Sequence, residues 1–169
     1  GFDDEGAPRL RPPKGDITTR MLLLHTAGFG YDFFNESYLR LRKRGHPGIV
    51  GATRASLQTP LLFDPGERWE YGTSVDWAGL VVEAIAGQRL GDFMEERIFG
   101  PLGMTSTAFT LTRSMRERLA RVHRRKADGQ LEPMRNYELP PDPEVHMGGH
   151  GLYSTPEDYA KFIRMWLND

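Results

Sequence analysis

Asp64-Pro65-Gly66-Glu67-Arg68-Trp69-Glu70-Tyr71-Gly72-Thr73-Ser74-Val75-Asp76-Trp77-Ala78-Gly79 is the stretch around which this chain of 169 residues is organised. It begins with Pro65-Gly66, a pair typical of a turn. A short aromatic segment follows, and then a helix starts. We predict Ser74 as the N-cap, because a serine hydroxyl accepts a hydrogen bond from the free N–H groups of the first helical turn. Tyr71 then lies at the hinge between the aromatic segment and the helix.

Residue type alone leaves two interpretations of Tyr71. A hydroxyl just before a helix N-terminus, on a turn between packed elements, is in a common place for a catalytic group. A half-buried tyrosine that packs its ring at an interface and hydrogen-bonds its hydroxyl fits the same local pattern and is the commoner case. The choice between them therefore depends on the rest of the chain.

Composition excludes several classes of function. Lys and Arg number 22 against 23 Asp and Glu, for a formal net charge of −1. This balance gives no overall field that would favour nucleic acid or an anionic membrane, so we predict neither as a partner. The chain has no cysteine, which excludes disulfides, thiolate metal sites and a cysteine nucleophile. Its length is enough for one domain with a core.

No cofactor or metal is predicted. The sequence contains neither a GxGxxG motif nor a P-loop pattern. His146 and His150 are four residues apart, but Gly148 and Gly149 lie between them and make a helix unfavourable. We therefore do not expect the pair of histidines on one helix face that would hold a metal ion.

Apolar periodicity and capping residues predict a mainly helical chain with one small antiparallel hairpin. Gly100-Pro101-Leu102-Gly103-Met104 is predicted as a turn that cannot continue the helix before it. Asp128-Gly129 is predicted as the turn of the hairpin. The predicted helices cover about 20–24, 36–44, 53–58, 74–86, 90–99 and 112–118, with a last one starting at 155. The helix at 74–86 is apolar on most sides, so we expect it to be buried.

Four motifs together resemble the serine β-lactamase-related hydrolases. This family includes class C β-lactamases, penicillin-binding-protein-like esterases and related acyltransferases. The resemblance rests on residues 17–28, 63–74, 98–107 and 148–159, which contain His25-Thr26-Ala27-Gly28, Tyr71-Gly72-Thr73-Ser74, Gly100-Pro101-Leu102-Gly103-Met104 and Gly148-Gly149-His150-Gly151. It implies that 1–169 is a single partial domain from the middle of the catalytic domain. That portion is the helical subdomain and tyrosine loop of the α/β plus all-α β-lactamase/transpeptidase-like fold.

The chemistry that the resemblance implies is acyl transfer through an acyl-serine intermediate on a small-molecule ester or amide. In this family a Ser-x-x-Lys motif supplies the nucleophile and a neighbouring amine. The resemblance assigns Tyr71 to the proton relay, since a serine hydroxyl needs a base to remove its proton. It assigns substrate binding to Thr73, Gly149, His150 and Gly151. The phenol of Tyr71 would need nearby cationic groups to favour its phenolate.

The sequence departs from the family pattern in three respects. It contains no Ser-x-x-Lys, which we expect upstream of Gly1, and the late wall strand is expected after Asp169. The isolated chain is therefore predicted to be inactive. Thr73 stands two residues after the tyrosine, where many lactamases have asparagine. This difference favours the esterase or acyltransferase branch over a true lactamase.

Two alternatives remain open. One is a non-catalytic β-lactamase-like binding domain that keeps the cleft. The other is a self-contained helical interaction module, which predicts a stable monomer with no exposed apolar face. If the chain is a portion of a larger catalytic domain, we expect the opposite. Apolar patches at 22–24 and around Trp77 would then be exposed, or covered by the remainder of the domain or by a second chain. The four motifs favour a catalytic ancestry for Tyr71.

Overall fold

The computed structural model describes residues 1–135 and 137–167. Within them the chain is mainly helical with one two-stranded antiparallel sheet, as predicted. Strands β1 (His123–Arg125) and β2 (Leu131–Pro133) pair in the register His123 to Pro133. The helices are α1 Thr19–Leu23, α2 Glu36–Lys43, α3 Arg54–Leu57, α4 Ser74–Ala86, α5 Leu90–Met94, α6 Gly100–Leu102, α7 Arg113–Glu117 and α8 Pro156–Leu167, with a 3₁₀ turn at Ile49–Gly51 and a π-helical turn at Glu95–Phe99.

Local capping explains why several helices begin near the predicted positions. Each of these caps is a side-chain oxygen that accepts a backbone N–H from the first helical turn. The capping residues are Thr18, Asn35, Thr53, Thr112 and Thr155. Such a cap satisfies an N–H group that has no partner within its own helix. These starts are therefore properties of short sequence windows.

The prediction that Pro101 stops the helix was wrong. The chain runs from α5 through the π-helical turn into α6, and it ends at Gly103 in the left-handed conformation (φ +67°). Pro101 is the second residue of α6 and contributes no N–H to the helical ladder. The π-helical turn also widens the backbone spiral immediately before the proline, which accommodates a ring that would clash inside a regular α-helix.

The core lies around α4. One buried cluster contains Tyr31, Ile49, Ala52, Leu57, Val145 and Met147, and another contains Leu22, Ala27 and Phe29. Trp77 of α4 packs against both clusters, and its ring stacks on Phe29 with centroids 5.7 Å apart. The prediction that α4 is buried is correct for its N-terminal part, which includes Trp77, but not for its C-terminal end, where Ile85 is exposed.

The exposed apolar side chains include several on α1 and α8. On α1, Leu22 is buried, whereas Leu23 is exposed, as is Leu24 just beyond the helix. On α8 the exposed apolar side chains include Tyr159, Ile163, Trp166 and Leu167. The predicted patch at 22–24 is thus partly correct, while Trp77 is largely packed in the core. Among the residues described, no helix is both long and apolar enough to cross a membrane.

Candidate active site around Tyr71

Backbone hydrogen bonds join the first two family motifs. The N–H of Leu62 donates to the carbonyl of Gly28, that of Gly66 to Thr26, and that of Glu70 to His25, at 2.8, 2.8 and 2.9 Å. The segment leading to Tyr71 therefore lies alongside residues 25–28. This pairing holds the tyrosine in a defined position although no regular strand is formed.

Asp64 anchors the beginning of this segment. Its carboxylate accepts two hydrogen bonds from the Arg11 guanidinium, at 2.8 and 2.7 Å, and one from the backbone N–H of Lys14 at 3.1 Å. The hydrogen bond from Arg11 is the main cause that holds the pKa of Asp64 well below its usual value. Residues 11–14 are thereby held against the turn before Tyr71.

Gly72 allows a very close backbone approach beside Tyr71. A Cβ at this position would lie 2.4 Å from the Cα of Gly30 and 2.5 Å from the carbonyl oxygen of Phe29. Any side chain would therefore force two backbone segments apart. The glycine after Tyr71 is explained by this contact, which joins the tyrosine loop to the aromatic loop at residues 29–34.

Tyr71 is partly exposed, with 46% of its surface open to solvent. Aromatic rings surround it on several sides. The ring centroids of His25 and Tyr31 lie 4.9 and 5.4 Å from that of Tyr71, and those of Phe34 and Trp69 lie 6.2 and 6.4 Å away. The ring is thus held by its neighbours while part of the side chain remains accessible, as a group that contacts substrate requires.

His25 has an unusual environment next to Tyr71. Its backbone adopts a left-handed conformation (φ +55°), and its Nδ1 is buried without a hydrogen-bond partner among the described residues. Burial lowers the pKa of the imidazole, so His25 is neutral at pH 7 and does not supply positive charge to the phenol.

The N-terminus of α4 differs from the prediction. Thr73, not Ser74, occupies the N-cap position, and Ser74 is the first helical residue. The hydroxyl groups of both residues are buried, with no hydrogen-bond partner in the part of the chain described. Thr73 lines a recess of about 20 Å³ beside Tyr38 and Thr59. Its predicted contact with substrate stays a prediction and would require this hydroxyl to become accessible.

The glycine-rich loop at 148–151 packs directly on α4. The backbone N–H of Gly149 donates to Oδ1 of Asp76 at 2.9 Å, and the same oxygen lies 3.5 Å from Nδ1 of His150. Oδ2 of Asp76 accepts a hydrogen bond from the hydroxyl of Tyr31 at 3.3 Å. Since the ring of Tyr31 contacts that of Tyr71, a continuous set of contacts connects Tyr71 with the loop of Gly149, His150 and Gly151.

Sequence reasoning missed Asp76 and Tyr31 as members of this cluster. The local sequence places Asp76 only in the first turn of α4. A carboxylate beside Trp77, in a helix expected to be buried, was the available signal. Its partners are 45 and 73 residues away in the chain, so no local pattern identifies them.

A groove of about 390 Å³ lies beside the loop. It is bounded by α4, α5 and residues 147–152, and its lining is mostly apolar, including Val75, Ala78, Met94 and Phe109. His150 and Gly151 belong to this lining. The groove therefore offers an apolar wall with one titratable side chain at the loop. Across residues 1–135 and 137–167, no group of three or more His, Asp or Glu residues is arranged to hold a metal ion.

Comparison with known proteins identifies the family. The profile of the family described as Beta-lactamase matches residues 7–169. The chain belongs to the beta-lactamase family. Monacolin J acid methylbutanoyltransferase from Aspergillus terreus is 36% identical over 99% of this chain and 42% of its own length. Lovastatin esterase from Penicillium rubens is 36% identical over 99% of this chain and 44% of its own length.

The solved structures agree with this assignment. Simvastatin synthase from Aspergillus terreus superimposes with a TM-score of 0.82 and 37% identity, covering 99% of this chain and 42% of that structure. The fold of this beta-lactamase family chain is thus of the β-lactamase/transpeptidase-like class, and the resemblance inferred from the four motifs is confirmed. The chain spans about two fifths of the length of the curated relatives it matches.

Proposed function

We propose that this chain is the tyrosine-bearing part of a serine hydrolase or acyltransferase that acts on small-molecule esters or amides through an acyl-serine intermediate. Tyr71 is the proton-relay group in this proposal. The observation that carries it is the position of Tyr71, which is partly exposed at the N-terminal side of α4 and held by His25 and Tyr31. Family membership and relatives named as an acyltransferase and an esterase support this reaction class.

The cation of the relay is proposed to be the lysine of a Ser-x-x-Lys motif. The 169 residues contain no such motif, and burial keeps His25 neutral. The nucleophile and the positive charge are therefore assigned to sequence outside the 169 residues. A carboxylate at Asp76, connected to Tyr71 through Tyr31, does not replace a base that contacts the serine hydroxyl.

The substrate is proposed to contact Gly149, His150 and Gly151, which line the groove beside α4, together with Thr73. The apolar lining suits an acyl chain, because burying apolar surface favours binding by about 25 cal/mol per Å². Thr73 in place of asparagine, and the names of the two relatives, favour esters over β-lactams as substrates.

A proton relay at Tyr71 predicts a specific kinetic result. In the full-length protein, Tyr71→Phe is expected to lower kcat for a p-nitrophenyl ester by about 10²- to 10⁴-fold, because general acid–base groups contribute about that much. Tyr137→Phe, which removes the hydroxyl of an exposed tyrosine, is the matched control and should leave kcat unchanged. Turnover by Tyr71→Phe equal to that of the wild type would refute the relay.

The acyl-serine step is tested separately by intact-protein mass spectrometry with a fluorophosphonate probe. The full-length protein should gain the mass of one phosphonyl group, whereas the 169-residue chain alone should gain none because it lacks Ser-x-x-Lys. A covalent adduct on the isolated chain would contradict the proposal. A full-length protein that lacks the motif and forms no adduct would instead support the non-catalytic binding domain.

A further inference from the structure

Asp76 is a fully buried carboxylate for which the proposed reaction has no use. It is the third residue of α4, and none of its surface is exposed. Removing a carboxylate from water costs several kcal/mol unless hydrogen bonds and an opposite charge replace the water. A carboxyl group buried there together with its hydrogen-bond partners indicates that Asp76 organises the groups around it.

Those groups come from two separate segments. Tyr31 in the aromatic loop donates its hydroxyl to Oδ2, and Gly149 in the glycine-rich loop donates its backbone N–H to Oδ1. The N-terminal end of α4 adds its dipole, which favours a negative charge in the first turn. One carboxylate therefore connects the helix that follows Tyr71 with both loops.

The glycine residues of the loop are explained by the same contact. A Cβ at Gly149 would lie 3.0 Å from both carboxylate oxygens and 3.1 Å from the hydroxyl oxygen of Tyr31. A Cβ at Gly148 would lie 2.3 Å from the carbonyl oxygen of Val75. Only glycine allows the loop to come this close to α4, so the approach is built into the backbone.

His150 is the one ionisable side chain of the loop at 148–151. Its Nδ1 lies 3.5 Å from Oδ1 of Asp76, and a quarter of its side chain is exposed. A carboxylate favours an N–H on the imidazole nitrogen that faces it, which leaves the lone pair of a neutral ring on the other nitrogen. Nε2 is then the hydrogen-bond acceptor of His150, a residue of the groove lining.

We propose that Asp76 is a positioning residue that holds the glycine-rich loop on α4 and fixes the Nδ1–H tautomer of His150, so that Nε2 accepts a hydrogen bond from an O–H or N–H group of the substrate. This inference rests on the proposed function, because it concerns the same groove. It adds a substrate class: an ester or amide that carries a hydrogen-bond donor within reach of the loop.

The tautomer is tested by nitrogen NMR of the full-length protein, with imidazole nitrogens labelled and His150 assigned by His150→Gln. At a pH where the ring is neutral, the wild type should show the proton on Nδ1. Asp76→Asn should move it to Nε2, the tautomer that an unperturbed neutral imidazole favours. A proton on Nε2 in the wild type, or one on Nδ1 in Asp76→Asn, would overturn the proposal.

Asp158 provides a matched control. It is likewise the third residue of its helix, is buried, and accepts a backbone N–H from a remote loop, that of Ser106 at 2.7 Å. Asp158→Asn should leave the His150 tautomer and the kinetic constants unchanged. A change in the tautomer there as large as that in Asp76→Asn would show that loss of any buried carboxylate disturbs the loop, and would contradict a specific role for Asp76.

Kinetics provide the second readout. With an ester substrate that carries a hydroxyl, Asp76→Asn is expected to raise KM about tenfold while kcat changes less than about threefold, since binding and not the acyl-transfer step is affected. His150→Ala should raise KM to a similar extent, and the double variant should be no worse than either single one. Unchanged KM in His150→Ala would overturn the proposal even where Asp76→Asn fails to fold.

The two proposals fail in different ways. The NMR experiment needs no turnover, so a protein without acyl-enzyme chemistry still confirms or refutes the positioning role of Asp76. Loss of the phosphonyl adduct, or full turnover by Tyr71→Phe, concerns the proposed function alone.

Discussion

Gly72 shows at the scale of one residue how the tyrosine loop is held. Its α-carbon touches the backbone of Phe29 and Gly30 so closely that a Cβ would lie 2.4 to 2.6 Å from three backbone atoms. Backbone cannot move aside as a flexible side chain can. The position of Tyr71 next to His25 therefore depends on the absence of a side chain at Gly72.

Gly72→Ala is expected to lower the free energy of unfolding by about 1–3 kcal/mol, the usual cost of overpacking a well-packed site. Chemical denaturation of the full-length protein measures the change. Gly15→Ala is the control, because a Cβ there meets nothing within 4 Å, and it should be neutral or slightly stabilising. Equal stabilities of the two variants would show that the close approach at Gly72 is relaxed in solution.

Helix α5 shows at the scale of an element that a helix start can depend on tertiary contacts. Its N-cap residue, Arg89, makes no side-chain cap hydrogen bond. The free N–H groups are bound from elsewhere: Leu90 donates to Oε1 of Glu83 at 2.9 Å, and Gly91 donates to Nδ1 of His146 at 3.0 Å. His146 is buried and stacks on Phe109 with centroids 4.6 Å apart.

His146 makes stability depend on pH in a defined direction. Burial, with a smaller contribution from Arg89, lowers its pKa below the ordinary 6.5. The unfolded chain therefore binds a proton at a higher pH than the folded chain does, and stability is lost as the pH falls below about 6.5. Half-buried His25, whose pKa is also lowered, acts in the same direction.

His146→Asn is expected to reduce the slope of unfolding free energy against pH between pH 7.5 and 5, because asparagine retains an acceptor for the N–H of Gly91 but does not titrate. Denaturation at a series of pH values measures the slope. His123→Asn, on exposed strand β1, is the control and should retain the wild-type slope. A slope unchanged by His146→Asn would contradict the protonation argument.

At the scale of the whole molecule, several apolar side chains of α1 and α8 are exposed. Trp166 and Leu167 expose 66% and 74% of their surfaces. Their helix is amphipathic, and its buried side is anchored by Asp158, which binds Ser106, Thr107 and Lys161. We propose that the outer apolar side is covered by the remainder of the catalytic domain or by a second chain, and this favours a catalytic portion over a self-contained interaction module.

The 169-residue chain expressed alone is expected to bind the dye ANS and to self-associate, because exposed apolar side chains promote both. The double variant Trp166→Lys, Leu167→Lys should weaken dye binding, whereas Arg164→Glu on the same helix should not. In the full-length protein the dye should bind much less. Equal dye binding by the two lengths of chain would show that this surface is not covered by the remainder of the protein.

The sequence alone was sufficient for the features that short windows encode. Threonine and asparagine caps, the Asp128-Gly129 turn and the apolar periodicity of α4 act within a few residues of one another, so the helices and the hairpin were predicted near their observed positions. The four family motifs predicted the family for the same reason, since each is contiguous in the chain.

Only the tertiary structure decided which residues of those motifs contact one another. The contacts of Asp76 with Tyr31 and Gly149, the approach of Gly72 to Gly30, and the capping of α5 by His146 join residues 42 to 73 positions apart. No local sequence pattern identifies the distant partner of a buried carboxylate or of a glycine. The interaction energy of such a pair arises only when packing removes water from both partners. The path through Pro101 likewise followed from the packed π-helical turn and not from the local preference of proline.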